Sequence, residues 1–422
     1  MLRNPLLWAS LMACLTLPVG TAFSATDNDN PQRLSAFIQQ IWQQHPEIAA
    51  AQARLEAARA QAEAAGQPLY NPELELDAEK TDINTFSIGV NQSLDWGDKR
   101  GAQRAIGTAE IQLAQAELAR MRQRLGSEVL TALAQYQTRR NLLALSHHRV
   151  ELTGQLVETT KQRFAAGDIG QLDVALARVA HSQARMQMAR HEAEIATGRA
   201  ALLAASGGSY PEKSMEHWPD MPAQIPSPPE NPARDESLAK LPALRIAQAQ
   251  VQLAKSTTGL ARTNRSTVPT LGVRGGRVDK QTLLGLSLSI PLMVRNSFTA
   301  EVNAASQQTV QQEQQMLADF RRSAARLDGS LIAYRTQFDA WQDWKKIDEA
   351  NLNQQFQLLQ TIWKSGEIST SEYLLQAGQN VDARETAVEL KGDVWAAWLD
   401  WLDASGNLEA WITQLSQHSQ QQ

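Results

Sequence analysis

Apolar and polar residues alternate with period two along four short segments of the chain. These segments cover residues about 72–80, 85–95, 269–278 and 282–291. Their apolar positions are Leu74, Leu76, Ala78, Phe86, Ile88, Val90, Leu271, Val273, Leu284, Leu286, Leu288 and Ile290. Because successive side chains of a strand point to opposite faces, this alternation predicts two β-hairpins, each with one apolar face.

Two long stretches have the composition of continuous helices. No proline occurs between Pro72 and Pro211, and none follows Pro291, and both stretches are rich in Ala, Gln, Leu, Arg and Glu. The predicted helices are a long helix at about 98–166 with a return helix at 170–205, and a long helix at 297–365 with a return helix at 369–405. A helix of nearly 70 residues is about 100 Å long, so it requires antiparallel neighbours rather than a compact globular core.

Aromatic and aliphatic residues also recur at helical spacing in the second half. Their spacing alternates between four and three, which is typical of a coiled-coil interface; the residues are Phe320, Ala324, Leu327, Leu331, Tyr334, Phe338 and Trp341. Trp395, Trp398 and Trp401 lie three apart near the end of the last return helix. We expect these tryptophans to pack in the core against the connector between the halves.

The chain is predicted to be a tandem duplication. Residues 207–237 carry seven prolines and no apolar periodicity, which indicates an extended connector between a first repeat at 25–206 and a second repeat at 238–422. Three blocks recur in the same order in both halves. They pair Pro46 with Pro242, Gly89 with Gly285, and Gly167 with Gly366. Each repeat is therefore expected to contain a helix, a hairpin, a long helix and a return helix.

The first 24 residues have the pattern of an export signal. Arg3 precedes an apolar run from Leu6 to Leu17, and small residues around Ala22 offer a cleavage site. Cys14, the only cysteine, lies within this run, so we expect a mature chain without disulfides. A lipoprotein cleavage box ending at Cys14, which would leave a lipid-anchored cysteine, is the alternative.

Charge and motif content argue against several classes of function. The net charge of −5 does not suit a nucleic-acid partner, which would require a concentrated basic surface. No catalytic constellation or phosphate-binding motif is visible, so we expect neither an enzyme nor a cofactor. His147 and His148 are adjacent and point in different directions on a helix, and His181 and His191 are ten apart. These histidines are predicted to be surface or packing residues, and no metal site is expected.

The predicted hairpins can be explained in two ways. No segment after the signal has the roughly 18 apolar residues of a membrane-spanning helix, so entry into a membrane would require the strands. Four strands cannot close a membrane barrel, and lipid does not tolerate an open sheet edge, so several copies would have to assemble. The alternative is a periplasmic coiled-coil scaffold or adaptor without a pore, in which the strands form a small soluble sheet.

Four sequence blocks together resemble the TolC family of outer-membrane efflux channels. They are NPELEL from Asn71, NQSLDWGDKRGAQR from Asn91, RFAAGDIGQLDVALA from Arg163 and WKSGEISTSEYLLQA from Trp363. The resemblance implies a mainly α fold with a β-barrel contribution: a homotrimer whose twelve strands form one barrel in outer-membrane lipid, continued by a periplasmic tunnel of helices. It also implies docking of the helical tips onto a periplasmic adaptor (membrane fusion) protein that links the channel to an inner-membrane pump.

Two phrases are similar to one branch of that family. RFAAGDIGQLD and the C-terminal WAAWLDWLDASG resemble CzcC-like proteins, the partners of cation-exporting pumps of the resistance-nodulation-division (RND) class. The resemblance implies export of heavy-metal cations through a passive duct. Small organic toxicants and secreted polypeptides (type I secretion) are the alternative cargoes, because the pump generally selects the cargo.

The resemblance also points to candidate functional residues. The turns after the long helices would form the periplasmic entrance, with Asp168, Asp173, Glu367 and Glu372 as acidic candidates for its constriction. Leu375 stands where the family pattern has a further acidic residue. The alternative role of the four carboxylates is to stabilise the first turn of the return helices. Arg163, Gly167 and Gly366 are candidates for tip structure and adaptor docking, and Tyr70 and Trp96 for aromatic residues at the membrane interface.

Overall fold

A computed structural model of the chain describes residues 30–82, 84–208, 218–230, 233–346 and 349–417. The predicted signal at 1–24, with Cys14, lies outside the described residues, as does part of the proline-rich connector. The described chain is mainly helical and contains one four-stranded antiparallel sheet, which confirms the predicted fold class.

Both halves contain, in order, two helices, two strands, a long helix and a return helix, and the second half has two additional helices, one between its long helix and its return helix and one at its end. The first half contains α1 (Asn30–Gln44), α2 (Pro46–Ala65), β1 (Glu73–Lys80), β2 (Asn84–Ser93), α3 (Lys99–Ala166) and α4 (Gln171–Ala205). The second contains α5 (Arg234–Lys240), α6 (Pro242–Thr263), β3 (Thr270–Val278), β4 (Gln281–Ser289), α7 (Thr299–Lys345), α8 (Glu349–Ser365), α9 (Thr370–Ser405) and α10 (Leu408–Gln417). The sequence pattern did not predict α1, α5 and α10 as separate helices.

Proline and glycine set several of these boundaries. Helices α2 and α6 both begin with proline at the first position, where a missing N–H costs nothing. The imidazole Nδ1 of buried His45 caps α2 by accepting the Glu47 backbone N–H at 3.1 Å. Strand β4 ends at Ser289, two residues before the predicted end, because Pro291 has no N–H to continue the ladder.

The second long helix differs from the prediction of one helix over 297–365. Helix α7 ends at Lys345 and α8 begins at Glu349. The Lys346 N–H donates to the Asp343 carbonyl at 3.2 Å, which is one residue tighter than an α-helical bond. The first long helix, α3, is continuous over 68 residues, so the duplicated halves differ at this level.

The main core lies around the middle of the long helices. Helix α3 contacts α2, α4, α6 and α9, while α7 packs against α6 and α9. Side chains from α1, α3, α6, α7, α9 and α10 meet there with residues of the connector. The connector residue Trp218 packs edge-on against Tyr136 of α3, with ring centroids 5.0 Å apart. The connector therefore forms part of the core rather than a free linker.

The predicted coiled-coil interface is largely buried in this core. Ala324, Leu327, Leu331 and Tyr334 are buried, and Phe338 and Trp341 pack against them. Phe320 is the exception, because 45% of it is exposed. All three tryptophans of α9, at positions 395, 398 and 401, are buried, as predicted. The hydroxyl of Tyr334 donates to the Pro226 carbonyl of the connector, and burial raises the pKa of Tyr334.

The sheet has the order β1-β2-β3-β4, and all three pairings are antiparallel. The register sets Glu75 opposite Gly89, Gly89 opposite Arg274, and Arg274 opposite Gly285. Positions on one row across the sheet share a face, so this row defines the polar face. Strands β1 and β4 lie at the two edges of the sheet within the chain.

Candidate functional site

Two sharp helix reversals end the long helices. Gly167 follows α3 with φ of 84°, and Gly366 follows α8 with φ of 83°. The next N–H in each turn donates back five residues, from Asp168 to the Arg163 carbonyl at 2.9 Å and from Glu367 to the Ile362 carbonyl at 3.1 Å. These are Schellman-type ends, in which a left-handed residue satisfies the last helical carbonyls. Both turns therefore use glycine for its backbone freedom.

Arg163 joins the two reversals to each other. Its Nη1 donates to the Trp363 carbonyl at 3.0 Å, and its guanidinium carbon lies 5.6 Å from the centre of the Trp363 ring. A side chain at Gly366 would place Cβ 3.3 Å from Arg163 Nη2. The three residues predicted for the tip, Arg163, Gly167 and Gly366, are therefore brought to one end of the helices.

A small apolar cluster supports these tips. Trp363 and Tyr373 stack with centroids 4.9 Å apart and planes 24° apart, and they pack on Leu156 and Ala177. Burial raises the pKa of the Tyr373 phenol. Beside this cluster, α3, α4, α8 and α9 line a cavity of about 300 Å³ that Leu375 borders. Sequence reasoning missed this cluster, because two of its residues come from the first half of the chain and two from the second.

The four acidic candidates differ in what they contact. Asp173 Oδ2 accepts the Gly170 backbone N–H at 3.2 Å, and Glu367 Oε1 accepts the Ser365 hydroxyl at 3.0 Å, so both serve local turn structure. Asp168 and Glu372 are exposed. The α9 helix is capped instead by Ser369, whose hydroxyl accepts the Glu372 N–H at 3.2 Å. Leu375, one turn further along α9, is 63% exposed.

One face of the sheet is apolar and open to its surroundings. It carries the residues predicted from the alternation, among them Leu74, Phe86, Val273 and Leu286, the last of which is 84% exposed. The opposite face carries carboxylates on β1, and on the other strands it carries small or polar residues apart from Val278 and Leu283. An exposed apolar sheet of this kind marks a surface that another apolar phase or partner covers.

Tyr70 and Trp96 lie where the first hairpin joins the helices. Gln92 Nε2 donates to the Tyr70 carbonyl at 3.2 Å, so Tyr70 is tied to the end of β2. Tyr70 is half-buried, whereas Trp96 is 71% exposed. The two aromatic residues thus lie near the helix-side border of the apolar face.

The histidines are not arranged as metal ligands. Buried His191 Nδ1 hydrogen-bonds Ser146 Oγ at 2.6 Å, and His181 Nδ1 lies 3.2 Å from Thr153 Oγ1, so each links α4 to α3. His147 and His148 are exposed. Among the described residues there is no group of three or more His, Cys, Asp or Glu side chains that could hold a metal ion. No helix in the described ranges is long and apolar enough to cross a membrane.

A buried ion-pair cluster centred on Asp403 was not predicted. Asp403 Oδ1 accepts from Arg120 Nη1 of α3 at 2.9 Å and from Gln123 Nε2 at 2.8 Å, and Oδ2 accepts from Arg326 Nη1 of α7 at 2.8 Å. Arg326 also pairs with exposed Asp400 at 2.7 Å. Burial lowers the pKa of Arg326, but the two carboxylates outweigh burial and raise it above its usual value. One carboxylate on α9 therefore ties together the long helices of both halves.

Comparison with known proteins is consistent with this architecture. Residues 37–208 match the protein family described as Outer membrane efflux protein. The chain is 24% identical over 233 residues to the cobalt-zinc-cadmium resistance protein CzcC of Cupriavidus metallidurans, covering 54% of this chain and 55% of CzcC. It is 25% identical over 280 residues to the nickel-cobalt-cadmium resistance protein NccC of Alcaligenes xylosoxydans xylosoxydans, covering 62% of this chain and 61% of NccC. The matches thus span little more than half the length of these curated relatives.

Solved structures share the fold over nearly the whole chain. The outer-membrane channel OprN has a TM-score of 0.75 at 16% identity, covering 90% of this chain and 91% of that one. CusC has a TM-score of 0.71 at 17% identity with coverages of 88% and 92%. The CmeC outer membrane channel of Campylobacter jejuni has a TM-score of 0.73 at 14% identity, covering 98% of both chains. Residues 37–208 therefore match the Outer membrane efflux protein family, and the chain as a whole has the fold of the outer-membrane channels OprN, CusC and CmeC.

Proposed function

We propose that the protein is the outer-membrane exit duct of a tripartite efflux system and that it passes heavy-metal cations. The observation that carries the proposal is a sheet with one predominantly apolar, exposed face on the end of helices long enough to cross a periplasm. Lipid is the phase that suits this face. The duct supplies a path and performs no chemical step.

The edges of the sheet support assembly into a homotrimer. Strands β1 and β4 each have one side without a partner in the chain, and unpaired backbone groups in hydrocarbon each cost several kcal/mol. Pairing of β1 with β4 of a neighbouring copy satisfies both edges at once. Three copies give twelve strands, a number within the range of closed membrane barrels.

The helical tips are the proposed docking end. Arg163 holds the two reversals together, so the tip presents a defined surface to a periplasmic adaptor, which in turn connects to an inner-membrane RND pump. In a trimer, exposed Asp168 and Glu372 recur three times around the axis and form acidic rings at the entrance. Asp173 and Glu367 contribute through the turns that they stabilise. Tyr70 and Trp96 are proposed to lie at the periplasmic membrane interface.

Two independent features favour cations as cargo. The relatives CzcC and NccC are named for cobalt, zinc, cadmium and nickel resistance. In addition, the polar face of the sheet, which lines the lumen in the proposed barrel, carries Glu73, Glu75, Asp77 and Glu79 on β1. A lumen lined by carboxylates lowers the energy of a passing cation and raises that of an anion.

Growth of a deletion strain tests the cargo. Loss of the gene is expected to lower tolerance to zinc, cobalt or cadmium, and the plasmid-borne gene is expected to restore it. Tolerance to detergents serves as the comparison, because a duct for organic toxicants would reduce that tolerance instead. Unchanged tolerance to all the metals contradicts the cation assignment.

Conductance tests the pore itself. The purified protein in a planar bilayer is expected to give single-channel currents with cation preference, and the membrane fraction of cells is expected to contain it. A protein that fractionates with soluble material and carries no current is the scaffold alternative, and that result overturns the duct.

A further inference from the structure

Arg274 lies across a glycine on the neighbouring strand. Its side chain leans over Gly285 of β4, so that a Cβ built there would be 3.0 Å from Nε, 3.1 Å from Cγ and 3.6 Å from Cδ. On the opposite side, the three atoms nearest to a Cβ built on Gly89 include the Arg274 Cβ, at 3.2 Å, but no atom further along that side chain. The guanidinium therefore points toward the free edge of β4. No carboxylate within the described residues forms an ion pair with Arg274.

The other edge of the sheet is acidic on the same face. The polar face of β1 carries a carboxylate at each of its four positions, Glu73, Glu75, Asp77 and Glu79. Only Glu75 has a side-chain partner among the described residues, Asn91 Nδ2 at 2.9 Å. The two edges of one chain are therefore complementary in charge: a cation overhangs β4, and a row of anions lines β1.

We propose that Arg274 forms an ion pair with the acidic face of β1 in the next copy of the chain, and that Gly285 is the passage for its side chain. The proposal rests on the trimer proposed above. It identifies a specific contact by which one sheet recognises the next.

Strand parity makes the contact independent of the precise register. To keep the apolar face continuous, β4 and the incoming β1 must pair polar position with polar position. The polar face of β4 and of β1 consists of the odd-numbered positions, and in β1 every one of these positions is acidic. Whichever β1 residue pairs with Gly285 in such a register is therefore a carboxylate. It lies two strand spacings from Arg274, about 10 Å, within the combined reach of an arginine and an acidic side chain.

The test measures how the detergent-purified protein dissociates when it is heated in SDS. Arg274→Gln is expected to lower the temperature at which half of the trimer becomes monomer by several degrees, and raised salt is expected to shift wild type toward the variant. Arg277→Gln is the matched control, because Arg277 lies on the same strand but on the opposite face, and its midpoint is expected to stay at the wild-type value. Gly285→Val is expected to act like Arg274→Gln by blocking the passage.

A second background identifies the partner. In a variant with β1 neutralised (E73Q, E75Q, D77N and E79Q), the midpoint is expected to fall, and adding Arg274→Gln is expected to cause no further fall. If Arg274→Gln lowers the midpoint of this variant by as much as it lowers the midpoint of wild type, Arg274 acts without β1 and the proposal is overturned. A stable wild-type trimer that is unaffected by Arg274→Gln overturns this contact alone, whereas a wild-type protein that is monomeric in mild detergent overturns the proposed duct.

Discussion

At the scale of single residues, two glycines and one aspartate fix the ends and the middle of the helical part. Gly167 and Gly366 adopt positive φ, and their recurrence in both halves was visible in the sequence. Asp403 was not predicted, because its partner Arg120 lies 283 residues away and nothing local marks the contact. Local backbone requirements leave a signature in the sequence, whereas a long-range ion pair does not.

Replacing the tip glycines tests their backbone role. Gly167→Ala is expected to lower the free energy of unfolding by about 1–2 kcal/mol, because an L side chain is unfavourable in the left-handed region. No atom lies within 4 Å of the added Cβ, so the loss of unfolding free energy reports the backbone conformation alone. Gly329→Ala is the control: it lies exposed inside α7 and also has open space, and a gain of about 0.5–1 kcal/mol is expected. Thermal unfolding followed by circular dichroism measures both.

The Asp403 cluster gives a second residue-scale prediction. Asp403→Asn is expected to cost about 2 kcal/mol, because two arginines lose a buried charged acceptor. Asp400→Asn removes the other partner of Arg326, but this carboxylate is 52% exposed, so a loss of about 0.5 kcal/mol or less is expected. Thermal unfolding measures both variants. Equal losses of unfolding free energy would contradict the expectation that the buried carboxylate contributes more than the exposed one.

At the scale of elements, the spacing of apolar residues and the placement of proline and glycine predicted most of the helices and strands. The alternation places β1 to β4 within two residues of where the structure has them, because a strand with one apolar face must alternate. The interruption between α7 and α8 escaped prediction, because no proline or glycine stands there. The pairing of the two tips also escaped, because the bond from Arg163 depends on how hairpins from different halves pack.

That pairing can be tested by removing Arg163. Arg163→Leu is expected to weaken the contact between the tips by about 1–2 kcal/mol, through loss of a charge-assisted hydrogen bond and a cation–π contact. Amide exchange at Gly366 and Glu367 should therefore speed up. Lys364→Leu changes an exposed neighbour and is expected to leave exchange at the wild-type rate; faster exchange in both variants would argue against a specific contact.

At the scale of the whole molecule, the chain combines two regions with opposite requirements. The helices bury their apolar residues internally around α7 and α9, whereas the sheet keeps its apolar face on the outside. The sequence alone predicted this contrast, since the helical spacing and the strand alternation are both local. The number of copies in the assembly and the contacts between them are not local features, because they depend on surfaces that meet between chains.

The two faces of the sheet predict opposite responses to the same substitution. Leu286→Arg places a charge on the apolar face, where an arginine near the bilayer centre costs about 2–4 kcal/mol, so the amount recovered in the outer-membrane fraction is expected to fall. Ser287→Arg places the same side chain on the polar face and is expected to reach the membrane in wild-type amount. Equal recovery of both variants would mean that the apolar face does not contact lipid.

The strict alternation of the four strands also restricts which changes of length the chain can accept. Deleting or inserting one residue within β1 would turn every carboxylate beyond the change toward the apolar face, whereas inserting two residues would leave their direction unchanged. Strand β1 ends at Lys80 and β2 begins at Asn84, whereas β3 ends at Val278 and β4 begins at Gln281, so the two hairpin connections already differ in length. Variation in length among relatives should therefore accumulate at the tips and occur inside the strands only in steps of two.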